Sequence, residues 1–282
     1  MSEKRAVVAE MTTQGISERA ACRAVGLARS SQRYAVRPNE ERSRVREAVV
    51  TLAQQHRRYG YRRITALLRR QGERVNHKRV WAIWQAERLS LPRRRPRRRR
   101  HEAAERRPTT ATYRNHVWTY DFLFDRTAHG QTLKILTVLD EYTRQCHTIR
   151  VRRRLDSVAV IDTLAELVRQ HGAPAYLRSD NGGEFIAARL QAWLVRQGIG
   201  TLHIEPGHPW ENGYAESFHG RFRDECLNEE VFWHERHAQV VIERWRRHYN
   251  DERPHSALGY RTPAEVAATA PAGAVGEAAA LA

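Results

Sequence analysis

Residues 116–124 read HVWTYDFLF, and six of these nine residues are aliphatic or aromatic, with the carboxylate Asp121 among them. Such a run is typical of a buried strand. Two more apolar runs with strand character follow at 133–139 and 146–151, each after a short polar connection. Short connections join antiparallel neighbours. The sequence therefore predicts a three-stranded antiparallel meander that begins with the strand of Asp121.

Helix and strand patterns alternate after the meander. Apolar residues spaced as one helical face over 158–168 predict a helix that is capped by Asp156 or Ser157 and stopped at Gly172. The remaining predicted elements are a strand at 175–178, a helix at about 186–197, a strand at 199–204, and helices that begin near Glu211 and Glu235. The order βββ-α-β-α-β-α predicts a mixed α/β sheet with helices on its faces.

The first 90 residues show helical patterns only. Residues 17–34 read as two short helices with a turn at Gly26, which is the pattern of a helix-turn-helix. A second helical unit spans 42–91, and its last helix begins after Asn76 with Lys78 and Arg79 on its polar side. Because recognition helices contact DNA with their N-terminal residues, these two side chains are candidate DNA contacts. A structural hairpin with a solvated basic face remains the alternative.

The chain is strongly basic. It carries 49 Lys and Arg against 32 Asp and Glu, a net charge of +17, which favours a polyanionic partner and above all nucleic acid. The densest block is PRRRPRRRR at 92–100, which cannot pack and is predicted to be an extended arm or linker. Its candidate phosphate contacts are Arg93, Arg94, Arg95, Arg97 and Arg98. A bare solvated linker is the other reading of this block.

The three cysteines, Cys22, Cys146 and Cys226, form no zinc-ligand spacing and are expected to be inert thiols in a reducing cytoplasm. The N-terminus lacks the apolar core of a signal peptide, and no apolar run approaches the roughly 20 residues of a membrane span. We therefore expect a soluble, intracellular protein without a membrane partner.

Three carboxylates stand at positions suited to chemistry. Asp121 lies inside a strand, Asp180 follows a strand in SDNGGEF at 179–185, and Glu216 lies early in a helix, with 35 residues between it and Asp180. Taken singly, Asp121 could be an edge-strand residue and Asp180 a plain turn former. Together they could converge on one side of the sheet and hold divalent cations, which prefer oxygen ligands. Two such ions about 4 Å apart assist phosphoryl transfer.

Arg223 follows Glu216 by seven residues, close to two helical turns, and should share its helix face. A cation at that position would meet the same anionic substrate as the metal ions. A plain surface arginine is the alternative.

Several longer motifs resemble one family. They are YGYRRI at 59–64, VNHKRVW at 75–81, WTYDF at 118–122, VLDEYTR at 138–144, SDNGGEF at 179–185, PWENGYAESFHGRFRDECLN at 209–228 and YNDERPHSALGYRTPAE at 249–265. They are similar to the DDE transposases of the retroviral-integrase superfamily, and more narrowly to the orfB-type catalytic subunit of bacterial insertion sequences. The resemblance runs from about residue 15 to 265.

The resemblance implies an RNase H-like core that cleaves DNA strands and transfers them during transposition. It implies that Asp121, Asp180 and Glu216 bind Mg²⁺, with Mn²⁺ as a substitute, and that Arg223 occupies the basic position that accompanies the glutamate. It further implies a homo-oligomer on DNA, an upstream-frame partner protein or fusion, and a bacterial cytoplasmic location at the nucleoid. The zinc module of the retroviral enzymes has no matching His and Cys cluster here, so zinc is not expected.

The expected organisation is a helix-turn-helix-like segment at 1–40, a helical DNA-binding domain at 41–91, a basic linker at 92–112, the catalytic core at 113–268 and a disordered tail at 269–282. The fold class is thus α/β, an RNase H-like mixed sheet preceded by an all-α region. Three other functions remain open: an RNase H-like nuclease that does not join strands, a non-catalytic DNA-binding regulator, and a recombinase with Tyr249 or Tyr260 as nucleophile.

Overall fold

The structure is a computed structural model that describes residues 2–34, 40–90, 110–179, 187–203 and 213–271. Contacts within the chain group the residues into two compact units, Met1–Thr51 and Leu52–Ala282. The arginine-rich block at 92–100 and the segment around Asp180 lie outside the described residues, as does the tail from 272.

The first unit is helical. It contains α1 (Ser2–Thr13), α2 (Glu18–Val25), α3 (Arg29–Arg33) and most of α4 (Glu40–Gln55). The Ser17 side chain accepts a hydrogen bond from the Ala20 amide and caps α2, and Gly26 ends α2 with a left-handed φ of 63°. Two helices flanking a glycine turn confirm the helix-turn-helix pattern predicted for residues 17–34.

The second unit opens with two further helices, α5 (Tyr61–Arg70) and α6 (His77–Ala86). Asn76 caps α6 as the sequence predicts, because its side chain accepts a hydrogen bond from the Lys78 amide. Ile64, Leu68, Val80 and Trp84 are buried, so each helix places its predicted apolar face inward.

A five-stranded mixed sheet forms the centre of the second unit. Its strands are β1 (Val117–Arg126), β2 (Thr132–Asp140), β3 (Cys146–Arg152), β4 (Tyr176–Ser179) and β5 (Gly200–His203). Their order across the sheet is β3-β2-β1-β4-β5, with β1 antiparallel to β2, β2 antiparallel to β3, and parallel pairing of β4 with both β1 and β5. The predicted meander is confirmed, and β1 is the central strand.

Helices cover both faces of this sheet. On one face, α7 (Ser157–His171) and α8 (Ala188–Arg196) bury a core with Trp118 and Tyr120. On the other face, α9 (Gly213–Phe222) and α10 (Glu235–Asp251) bury a core with Leu123, Phe222 and Trp245. Since side chains alternate along a strand, Thr119, Asp121 and Leu123 all belong to the α9 and α10 face.

Two elements escaped sequence analysis. The α-helix α9 gives way at Arg223 to a π-helical turn over Arg223–Leu227, where the helix interior contains no proline or glycine signal. A last helix, α11 (Pro263–Thr269), begins at a Thr262 and Glu265 capping box that could have been predicted from the sequence. The three cysteines are buried and free, as expected.

We expect Phe222→Ala to lower the free energy of unfolding by about 3–5 kcal/mol, because truncation of a buried aromatic leaves a cavity. Phe222 is 0% exposed, and its ring centroid lies 4.8 Å from that of Trp245. Urea denaturation measures the change. Val195→Ala on α8, at a side chain that is 78% exposed, is the matched control and should change stability by less than about 0.5 kcal/mol. A loss below about 1 kcal/mol for Phe222→Ala would contradict the assigned core.

Candidate active site

Asp121 lies midway along the central strand β1 on the face that α9 covers. Its side chain is only 18% exposed. One carboxylate oxygen, Oδ1, accepts a hydrogen bond from the Phe122 amide at 2.7 Å, which fixes the orientation of the carboxylate. A carboxylate in a strand interior is costly to bury without charged or hydrogen-bonding partners, so its position on this strand indicates a role beyond packing.

His219 of α9 connects the helix to this strand. Its Nδ1 lies 3.7 Å from Oδ2 of Asp121, and its Nε2 lies 2.9 Å from the hydroxyl of Thr137 on β2. The Thr137 hydroxyl donates to the backbone oxygen of Asp121 at 3.2 Å, directly across the strand pair. The three residues form a continuous polar contact from α9 through β2 to β1.

The imidazole of His219 is neutral near pH 7. Burial and the positive charge of Arg223 lower its pKa to about 3. His219 therefore adds no positive charge beside Asp121. The carboxylate of Asp121 offers oxygen ligands of the kind that a hard divalent cation selects.

Glu216 stands in the first turn of α9, one helical turn before His219. Residues three apart in a helix are neighbours on one face, with Cβ atoms roughly 5–6 Å apart. The Glu216 side chain is exposed. Because His219 lies against Asp121, Glu216 lies on the same side of the sheet as Asp121.

The strand that precedes Asp180 lies directly beside β1. Arg178 of β4 pairs in parallel register with Thr119, two residues before Asp121, and Ser179 ends the described part of the strand. Asp180 itself lies outside the described residues. Within the described ranges, no three Asp, Glu, His or Cys side chains gather closely enough to hold a metal ion, and two of the predicted three ligands fall within those ranges.

Arg223 is the first residue of the π-helical turn. The backbone from Glu216 to Phe222 is α-helical, so Arg223 follows Glu216 by close to two helical turns. Its guanidinium donates to the Phe124 carbonyl of β1 at 3.4 Å, and its charge acts on His219. Arg223 is exposed on the side of the sheet where Asp121 lies.

The other candidate DNA contacts divide between described and undescribed residues. Lys78 is exposed in the first turn of α6, and Arg79 beside it is half-buried. The five arginines of the basic block, at positions 93, 94, 95, 97 and 98, lie outside the described part of the chain.

Sequence reasoning missed Thr137 and His219. His219 lies three residues after Glu216, a spacing that places both side chains on one helix face, so this signal was available. Thr137 carries no comparable signal, because a threonine in a strand is ordinary and its role depends on the register between β1 and β2.

The fold thus places a helical region before a mixed sheet, with an acidic residue on the central strand β1. Residues 111–209 match the family model described as Integrase core domain, and residues 197–263 match a second model with the same description. Residues 40–97 match a model described as HTH-like domain.

Two similar proteins of insertion elements assign the chain to a family more specifically. The chain is 41% identical to an uncharacterized protein of insertion element IS407 from Burkholderia multivorans, over 90% of this chain and 91% of that protein. It is also 41% identical to an uncharacterized protein of insertion element IS476 from Xanthomonas euvesicatoria, over 90% of this chain and 73% of that protein. The chain belongs to this family of insertion-element proteins with an integrase core domain.

More distant proteins align as well. The transposase for insertion sequence element IS904 of Lactococcus lactis is 27% identical over 79% of this chain and 93% of its own length. A solved chain of the simian T-cell lymphotropic virus intasome aligns at 14% identity with a TM-score of 0.49, over 80% of this chain and 78% of that chain.

Thr137→Val should destabilise the protein by about 1–3 kcal/mol, because it removes a fully buried hydroxyl and leaves Nε2 of His219 without its partner. Urea denaturation of the whole chain measures the loss. Thr148→Val on β3 is the matched control, since that threonine is half-buried and lies on the next strand. Equal stability of the two variants would mean that the polar contact between α9 and β1 does not hold the helix in place.

Proposed function

We propose that this chain is a transposase that cleaves DNA strands and joins them to a target during transposition of an insertion sequence, with Asp121, Asp180 and Glu216 as its metal ligands. The observation that carries the proposal is the contact of α9 with β1, which sets Glu216 and Asp121 on one side of the sheet through His219. The described part of β4 runs beside β1 and ends at Ser179, one residue before position 180. The transposase relative of IS904 supports the proposed transposase activity.

Mg²⁺ is the proposed cofactor, and Mn²⁺ should substitute for it. The carboxylate of Asp121, the exposed carboxylate of Glu216 and the neutral His219 fit a hard cation. Bound divalent metal would supply charge stabilisation for the attacking and leaving oxygens of phosphoryl transfer.

The chain's own residues do the rest. The Phe122 amide holds the carboxylate of Asp121 in one orientation, and the His219 ring lies beside that carboxylate at 3.7 Å. Arg223, exposed beside β1, is proposed to bind DNA phosphates next to the carboxylates.

The helical regions and the basic block are proposed to bind DNA outside the active site. Lys78 in the first turn of α6 is exposed, as a recognition helix requires. We propose the organisation given by the sequence, with DNA-binding helices at 1–40 and 41–91, a linker at 92–112, the core at 113–268 and a tail from 269. Two element ends are joined through a homo-oligomer on DNA in the bacterial cytoplasm. In the described residues, no helix is long and apolar enough to cross a membrane.

A recombinase with Tyr249 as its nucleophile fits poorly. Tyr249 is buried against Phe218 and Trp245, and burial raises the pKa of its hydroxyl well above the usual value. A phenol held neutral in a core is a weak nucleophile without reach to DNA. A nuclease of the same fold differs from a transposase only in the attacking group, water or a DNA 3′-hydroxyl, so a joining assay separates the two.

Asp121→Asn, Asp180→Asn and Glu216→Gln should each reduce strand cleavage and joining by orders of magnitude, because an amide cannot replace a charged metal ligand. DNA binding should persist, since phosphate contacts come from Lys and Arg. The assay uses the whole chain, Mg²⁺ and labelled duplexes that carry the ends of its element.

Asp125→Asn is the matched control for Asp121→Asn. It lies four residues further along β1 on the same face, and should leave both reactions unchanged. Joining at a near-normal rate by any of the three triad variants would refute the metal assignment. Cleavage without joining by the unchanged chain would make it a nuclease.

We also propose that an upstream-frame protein, as partner or fusion, supplies discrimination of the element ends. The chain alone should bind any DNA tightly at low salt, because phosphate contacts dominate, and should distinguish ends poorly near physiological salt. Competition between end and random duplexes over a salt series measures this for the chain and for a fusion with the upstream frame. Equal discrimination by both would show that the chain recognises its ends unaided.

A further inference from the structure

A cavity of about 380 Å³ opens beside α9, and arginines dominate its walls. Five arginines line it: Arg63, Arg144, Arg178, Arg221 and Arg253. They come from separate parts of the second unit, namely α5, the turn after β2, the end of β4, α9, and the segment after α10. Four of them belong to motifs quoted above for the family resemblance, and none is part of the carboxylate site.

Two of these arginines have buried nitrogen atoms without a hydrogen-bond partner among the described residues. Arg253 is 0% exposed; its Nε and Nη2 donate to Glu225, whereas its Nη1 has no partner. Nη1 of Arg144 is likewise buried and unpartnered. An unmade hydrogen bond at a buried charged group costs more than one at a neutral group, so both atoms add to the free-energy cost of burying these cations.

Arg144, which lines the cavity, has a strained backbone conformation. Arg144 has a φ of 63°, in the left-handed region that non-glycine residues rarely occupy. Its guanidinium lies over the ring of Tyr214 on α9, 3.8 Å from the ring centroid. Such local strain is concentrated at sites of function.

The carboxylates nearby carry less negative charge than the five arginines carry positive charge. Three carboxylates face the five guanidinium groups. Oδ1 of Asp140 accepts from the amide and hydroxyl of Thr143, and Oδ2 accepts from the Asn115 amide. Glu225 lies against both Arg63 and Arg253.

Glu141 forms a buried pair with Arg178 at 3.3 Å. Burial raises the pKa of Glu141 to about 7, so its negative charge is also incomplete at neutral pH. The cavity therefore keeps a net positive charge, and an anion would offset the cost of burying it.

The cavity and the carboxylate site lie on two flanks of the same helix. Tyr214, Ser217 and Arg221 of α9 line the cavity. Glu216 and His219 lie on the other flank, so the two sites are separated by about one helix diameter, ~10 Å. A DNA strand bound at the carboxylates could place a neighbouring phosphate in the cavity.

We propose that this arginine-lined cavity binds a phosphodiester group of the DNA strand, one or two nucleotides away from the phosphate that is cleaved. Planar guanidinium groups from several directions match the oxygens of a phosphate, which they can bind in bidentate fashion. That the bound phosphate belongs to the DNA strand in the active site rests on the proposed function. That the cavity binds an anion rests on the cavity alone.

The test measures binding without chemistry. The whole chain is titrated with a fixed duplex in the absence of divalent metal, over a series of salt concentrations. Each lost phosphate contact should lower the slope of log K against log salt by about one. The variants are Arg221→Ala, on the half-buried surface of α9, and Arg144→Asn, in which asparagine tolerates the left-handed backbone.

Arg196→Ala is the matched control. It removes the same charge from an exposed position on α8, across the sheet from the cavity. In a second arm, the melting temperature is measured with inorganic phosphate against an equal ionic strength of chloride. The unchanged chain should gain stability from phosphate, and the two cavity variants should gain less. If Arg144→Asn does not fold, Arg221→Ala decides the outcome alone.

A slope that falls by about one in the cavity variants but not in Arg196→Ala supports the proposal. If the phosphate effect is lost in the variants while the DNA slope is unchanged, the cavity holds a free anion and the DNA assignment is overturned. If neither quantity changes, the arginines are structural and the site is overturned. No cleavage is measured. The binding and melting results therefore test the anion site even if the proposed transposase activity is not found.

Discussion

The contact between α9 and β1 through His219 is the interaction on which the site depends. Asp121 is fixed by the sheet, whereas Glu216 belongs to a helix that follows undescribed residues 204–212, so its position depends on how α9 is seated. Apolar packing of Phe218 and Phe222 against α10 sets the helix on the sheet. The contact of His219 Nε2 with the Thr137 hydroxyl, at 2.9 Å, then fixes the rotation of α9. A helix rotated by one residue, about 100°, would carry Glu216 away from Asp121.

A second set of polar contacts joins residues 58–63, before the core, to the C-terminal helices. Arg58 pairs with Glu229, and the hydroxyl of Tyr59 lies 2.8 Å from Nε2 of His248. Arg63 and Arg253 share Glu225 within the π-helical turn. The π-helical turn thus joins α9, the helical region and the segment after α10, and the arginine cavity is formed where these elements meet. Buried ion pairs contribute little net stability, but they form only when both partners lie in fixed positions. Such pairs suit a site that holds several guanidinium groups close together.

The sequence predicts the fold well because its patterns are local. The strand of Asp121, the meander, the helix caps at Asn76 and Asp156 and the glycine turn at Gly26 all follow from spacing and residue type. The motifs also identified the family. The metal-binding roles of Asp121 and Glu216 stay predictions.

What escaped prediction depends on contacts between distant residues. The π-helical turn at Arg223, the hydroxyl of Thr137 beside His219 and the five arginines around one cavity are set by packing and register across the sheet. Single-sequence patterns carry no such information. Asp180 and the arginine block stay predictions, since they lie outside the described residues.

Crystals of the whole chain soaked in MnCl₂ would test the account most directly. An anomalous difference map would locate Mn²⁺, which is expected to bind where Mg²⁺ acts, with metal–oxygen distances near 2.1 Å. The account predicts a peak bonded to carboxylate oxygens of both Asp121 and Glu216. A metal peak bound elsewhere, with Asp121 and Glu216 free of metal at saturating Mn²⁺, would contradict it.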